Sequence, residues 1–358
     1  MFANKQEDSK MAQANLYAGI AGYVGRADQK GLVGVFSRHA GEDRWEHPVA
    51  DAECFTVNIH PTDPTVVFAG TSDGVYRSTD SGKTFKRAAF PDQTQIWSFL
   101  VDATNRDLVY AGGSPIAMYR SEDRGESWHK LPDPGMPNHA VMPFACRVMR
   151  LAQHPSQPGT MYAALEVNGV MKTTDGGESW TDVSTDLLRL AQLPHLKSKI
   201  VSNTYNEGML DGHAIAISSA DPDAVIFAAR MGLFRTSDGG KSWQDMELGR
   251  FSNNTYGRDI KVSPTDPNTL YAAISVAAAS KDGALYRSTD KGESWSRFDK
   301  VQVHGTIMSV ALHQKDPNKV YLGARYDGEI YGTEDGGETW NPAHLPHGVK
   351  DIYSLAVG

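Results

Sequence analysis

Five arginines, Arg147, Arg150, Arg230, Arg258 and Arg325, are the side chains in this sequence best placed to do chemistry together. A guanidinium fork matches the paired oxygens of a carboxylate or phosphate, and several forks at one place need an anion between them. The chain can be aligned on a recurring Asp-Pro-type turn. One column then reads Phe55, Trp97, Met149, His213, Arg258, Met308 and Tyr353. Two residues earlier stand Glu53, Gln95, Arg147, Asp211, Tyr256, Thr306 and Asp351, and one residue later the column contributes Arg150 and Asp259. Arg230 and Arg325 end two equivalent runs, Phe227-Ala-Ala-Arg230 and Leu322-Gly-Ala-Arg325. If these columns meet at one opening, the arginines hold an anion and Trp97 offers a stacking face to a sugar or aromatic ring. His213, Asp259 or Tyr353 would then move protons.

The same residues also have plain structural readings. Any of the arginines can pair with Glu53, Asp211, Asp259, Asp327 or Asp351 across neighbouring repeats, and Trp97 can simply plug a channel. Of twelve histidines, His60 and His154 precede turns and read as structural. His139, His195, His213 and His304 fall on the opposite side of the repeat, where three of them converging with Asp211 could bind a metal. No short His-x-x-x-His spacing supports that site, so no metal ligand is assigned and the cofactor is left open.

What must position these residues is a phrase written six times: Ser/Thr-x-Asp-x-Gly-x-Ser/Thr-Trp/Phe, at 78–85, 121–128, 173–180, 236–243, 288–295 and 333–340. Around each copy lie short alternating runs. In one repeat these are Arg258–Val262, Leu270–Ile274, Ala284–Ser288 and a strand opened by Trp295. Four antiparallel strands per repeat, stacked because no repeat buries its faces alone, make an all-β propeller. Within the phrase, Gly permits a positive φ, Asp and Ser/Thr bond the local backbone, and Trp packs between blades. Six equivalent copies around a ring cannot share one active site, so the phrase is scaffold. The chain ends in Asp351–Val357, a first-strand pattern, and opens at 15–19, 31–36 and 44–46 with patterns of the other three. Six repeats plus this hybrid predict seven blades over residues 15–358, closed by both termini, with residues 1–14 as a flexible tail.

The phrase resembles the Asp-box (BNR-repeat) propellers, a group that includes sialidases, some endoglucanases, sortilin-type receptors and a photosystem II assembly factor. The resemblance covers nearly the whole chain and implies a fold far more firmly than a function. Sialidases also use an arginine cluster. They have six blades, however, and a Phe/Tyr-Arg-Ile-Pro segment that this chain lacks, so a classical sialidase is not expected. An endoglucanase needs two carboxylates facing across a cleft; Asp211, Asp259, Asp351 and Glu53 are candidates, and no spacing selects a pair.

Successive phrase aspartates (Asp80, Asp123, Asp175, Asp238, Asp290, Asp335) lie 43, 52, 63, 52 and 45 residues apart. The excess falls in 133–147, 184–212 and 275–283, all on the face opposite the phrases, and insertions mark function more often than scaffold does. A formal charge of −8 argues against nucleic acid, two cysteines argue against a disulfide framework, and no apolar run is long enough for a membrane helix. The N-terminus also lacks the apolar core of a signal peptide, so the expected location is the cytoplasm. The expectation is therefore a propeller whose channel mouth binds a small anionic or glycosidic ligand, with a glycosidase-like hydrolase or a lyase as the catalytic form. The alternative is a non-catalytic interaction or assembly module that receives an acidic peptide.

Overall fold

The computed structural model describes residues 14–22, 31–325 and 328–358. Most of the expected 1–14 tail, together with Asp327, lies outside them; Ala14 is buried in the core of the closing blade. Seven four-stranded antiparallel sheets are present, each inner strand packing on the inner strand of the next. Blade one consists of Cys54–His60, Asp63–Thr71, Gly74–Ser78 and Lys86–Arg87. Blades two to six begin at Gln95–Val101, Val148–Gln153, Gly212–Ser218, Tyr256–Val262 and Ile307–Leu312. Blade seven takes its inner strand, Ile352–Val357, from the C-terminus and the others from Leu16–Ile20, Gly34–Arg38 and Glu46–Val49. Leu16 faces Val357 and Ala18 faces Leu355, which is the expected closure.

Each copy of the phrase is a closed hydrogen-bond unit. In the third copy, Thr173 Oγ1 donates to Asp175 Oδ1 at 2.7 Å and accepts from Gly177 N at 3.0 Å. Asp175 then takes the Ser179 N–H on Oδ1 at 2.9 Å and the Ser179 hydroxyl on Oδ2 at 2.5 Å. The same bonds recur at Asp80, Asp123, Asp238, Asp290 and Asp335. Glycine is required twice over: Gly82 has φ 76°, and a Cβ there would sit 2.2 Å from the Tyr17 ring of the preceding blade. The turn therefore also sets the distance between blades.

A second set of bonds ties the inner strands into a ring. Ser98 Oγ donates to the Val148 carbonyl at 2.8 Å, Ser309 Oγ accepts from Leu355 N at 3.0 Å, and Ser354 Oγ accepts from Val57 N at 3.1 Å. In blade five the corresponding residue is Asp259, whose Oδ2 accepts from Val310 N at 2.9 Å. The links from fourth to first strands, and from second to third, define a top face; the Asp-Pro-type turns and the repeated phrases lie on the bottom. The longest top insertion carries two short helices, Thr185–Leu190 and Asn206–Leu210, anchored by Leu187, Leu190, Met209 and Leu210 in the core beside Trp243. Among the described residues no helix is long and apolar enough to cross a membrane. Cys54 and Cys146 are both free and buried.

Candidate functional site

The channel mouth is closed. Phe55, Trp97, Met149, Met308 and Tyr353, five residues of the predicted column, meet across the axis with Ala21 as one apolar cluster. Trp97 stacks on Phe55 at 4.0 Å, and the Arg147 guanidinium covers its ring at 4.2 Å. Both faces of the indole are thus occupied, which corrects the reading of Trp97 as an open stacking platform; it is a plug. Tyr353 is buried too, its hydroxyl donating to the Gly22 carbonyl at 3.3 Å and its ring lying under Arg325 at 4.8 Å.

Around this plug the structure gathers Arg147, Asp211, His213, Arg230, Tyr256 and Arg258, and adds a residue the sequence reading missed, Glu166. Arg147 donates to Glu166 at 2.6 Å. Arg230 Nε donates to Asp211 Oδ2 at 3.0 Å, and His213 Nε2 lies 3.4 Å from the same oxygen. His213 Nδ1 bonds the Gly257 carbonyl at 2.7 Å, so Nδ1 carries a proton, and Nε2 lies 3.1 Å from the Tyr256 hydroxyl. Glu166 N bonds the Arg147 carbonyl as Arg230 N bonds that of Asp211. Arg147–Glu166 and Asp211–Arg230 are therefore one cross-strand pair with the charges exchanged. Aligning the second strands as carefully as the first would have found Glu166.

Burial, together with Asp211, pushes Glu166 up to about 7 despite Arg147. Burial acts the same way on Asp211, but His213 and Arg230 outweigh it and hold that carboxyl below its ordinary value. Burial lowers His213, although Asp211 opposes it. Arg325 Nε lies 3.8 Å from Asp351 Oδ1 on the far side of the plug. Among the described residues no carboxylate forms an ion pair with Arg258, and its buried Nε has no acceptor.

The structure thus divides the five arginines. Arg147, Arg230 and Arg325 pair with carboxylates above the plug, and Arg258 stands beside them without one. Arg150 lies below the plug, in a chamber of about 410 Å³ that opens on the bottom face. Asp259 is on the same lower side, fully buried and committed to the inner ring, with Lys261 Nζ at 3.7 Å. The expected arrangement of an ionisable top mouth over an apolar floor is corrected to an apolar plug with charge on both sides. The histidines do not converge: His139 pairs with Asp182 at 2.6 Å, His195 with Asp245 at 3.1 Å, and His213 with Asp211. Among the described residues no three His, Cys, Asp or Glu side chains form a ligand set.

A seven-bladed ring with this turn chemistry has known relatives. The family model described as "Sortilin, neurotensin receptor 3" matches residues 73–209 and 283–356, more than half of the chain, and the chain belongs to this Sortilin-Vps10 family. It is similar to a xyloglucanase of Acetivibrio thermocellus, 26% identical over 220 residues, which are 54% of this chain and 24% of the relative. A xyloglucanase of Hypocrea jecorina is 30% identical over 138 residues, 38% of this chain and 15% of the relative. The chain spans about a quarter or less of the length of these curated relatives. Among solved structures, the GH74 xyloglucanase of Xanthomonas campestris superposes with a TM-score of 0.61 at 17% identity, covering 81% of this chain and 45% of that one. YCF48 bound to D1 peptide superposes with a TM-score of 0.52 at 15% identity, covering 81% and 82%. At these identities the likeness to solved structures is one of fold.

Proposed function

We propose that the protein is a binding module that docks a partner polypeptide on its top face. The observation that carries this reading is where its exposed apolar side chains lie. Leu32, Met136, Val141, Phe144, Val201, Tyr205 and Val276 are the large hydrophobic residues exposed among those described, and every one belongs to a top-face link. Val141 is 75% exposed. Apolar residues scattered singly need no explanation, but their confinement to one face, on the longest insertions, marks an interaction surface. Aromatic, Met and Arg side chains are enriched at interfaces. Here Lys197 and Lys199 lie against the Tyr205 ring and Arg147 against Phe144. With Arg258 unpaired nearby, the partner suited to this face presents apolar side chains flanked by carboxylates. That a fold relative, YCF48, is found bound to D1 peptide supports the same direction.

A photo-crosslinking residue placed at Val141 or Val201, in the protein's own cells, is expected to give a discrete adduct. The same residue at Lys83 or Glu126 on the bottom face is expected to give none. Adducts from the bottom positions alone would overturn the proposal.

Glycoside hydrolysis is a second reading, favoured by one observation. Glu166 and Asp211 sit in one cluster with their proton affinities driven apart, as an acid and a base require. Both carboxylates are nevertheless held in ion pairs above the plug, Glu166 by Arg147 and Asp211 by Arg230. Release of reducing ends from xyloglucan, abolished by Glu166→Gln, would establish this reading in place of the docking module.

A further inference from the structure

The compartment below the plug differs chemically from the face above it. It opens among the bottom turns at Ala103, Pro264 and Gln314, and its middle is walled by aliphatic side chains such as Leu151, Ile215, Ile260 and Leu355. Arg150 stands at the closed end, and Lys261 lines the chamber nearer the opening. Lys261 keeps 35% of its side chain accessible and lines the chamber.

The charges of this compartment do not balance. Arg150 gives one N–H to the Met149 carbonyl at 3.0 Å. Among the described residues no carboxylate forms an ion pair with it, and none of its nitrogens is both buried and unbonded, so its remaining donors open to the chamber. Asp259 acts on both cations, lying 3.7 Å from Lys261 Nζ, but cannot follow a ligand. Its side chain is 1% exposed, with Oδ1 accepting from Ile260 N and Oδ2 from Val310 N. One carboxylate shared by two cations leaves the pair under-compensated, and an anion entering from solution relieves that cost. The equivalent residues of the other blades are Thr56, Ser98, Ala214, Asp259, Ser309 and Ser354, so the ring itself does not require a long cation at position 150.

We propose that the lower chamber is a binding site for a small free organic carboxylate with an apolar body, its head group forked by Arg150 and steadied by Lys261. The aliphatic walls below the head group select for the body and against a fully hydrated inorganic ion. The site faces the opposite side of the ring from the docking surface and is independent of it.

Isothermal titration of the full chain with benzoate, benzyl alcohol and inorganic phosphate tests the assignment. Benzoate is expected to bind saturably with one site per chain, while the neutral alcohol and phosphate bind far more weakly. Arg150→Ser, which installs the residue other blades use, is expected to weaken benzoate roughly ten- to hundredfold with the melting temperature retained. Arg150→Lys should recover part of the loss, and Lys261→Met should lose less than Arg150→Ser. Val141→Glu on the top face should leave benzoate binding unchanged, so this site and the docking surface fail separately. Absence of saturable benzoate binding, equal binding of benzyl alcohol or phosphate, or full binding by a folded Arg150→Ser protein would each overturn the proposal.

Discussion

Thr173 and Asp175 divide the work of one turn. Thr173 Oγ1 is the buried acceptor for the Gly177 N–H, whereas Asp175 accepts its bonds at the surface. An orphaned buried N–H costs more than a surface bond that water can replace. Thr173→Val, similar in shape, is therefore expected to cost about 1–3 kcal/mol in chemical denaturation, and Asp175→Asn less. A reversed order would show that the carboxylate, not the hydroxyl, holds the turn. Glu166 makes a pH-dependent prediction. Its folded value, raised from 4.5 to about 7, favours the folded chain only while the carboxyl is protonated. That contribution is complete below about pH 4.5 and is lost as the pH rises through about 7. Relative to Glu166→Gln, the parent should thus lose stability between pH 5 and pH 8. Parallel melting curves for the two proteins over that range would contradict the assignment.

Blade seven makes the closure a matter of chain ends. Ile352–Val357 contributes the inner strand, and its removal exposes the edge of Leu16–Ile20. Deleting residues 351–358 should lower the melting temperature sharply and promote aggregation. An unchanged melting point would mean that the ring does not depend on this pairing. The four strand types of each repeat were legible in the sequence because alternation and turn chemistry recur in register seven times. The expected Leu270–Ile274 differs from the observed Leu270–Ser275 by a single residue. The two helices at 185–190 and 206–210 were not legible. Each is hardly more than one turn, and four apolar residues reaching the Trp243 cluster leave no helical period to read.

At the scale of the ring, the alignment gave each side chain an angular and an axial station and no information on what meets across the axis. Phe55, Trp97 and Tyr353 belong to blades one, two and seven, yet close on one another as stacked and edge-on rings at 4.0–6.0 Å. Three long aromatic side chains at one level fill a channel of this size. Arg150, one residue further along, consequently falls below the barrier and Arg147 above it. The charged set was identified by type, but its partition needed the third dimension. Glu166 was missed because only the first strands were compared column by column. The exposed apolar residues were legible singly; their common face follows from the connectivity, which puts every long insertion on one side.

That common face is the centre of the account, and hydroxyl-radical footprinting tests it most directly. The protein is oxidised once as a purified chain and once in native extract, where its partner is present, and each residue is then compared by mass spectrometry. Met136, Phe144 and Tyr205 on the top face should be protected in the extract, with Phe85 and Trp180 on the bottom reacting equally in both. Protection confined to Phe85 and Trp180, with the top-face residues unchanged, would contradict the docking surface.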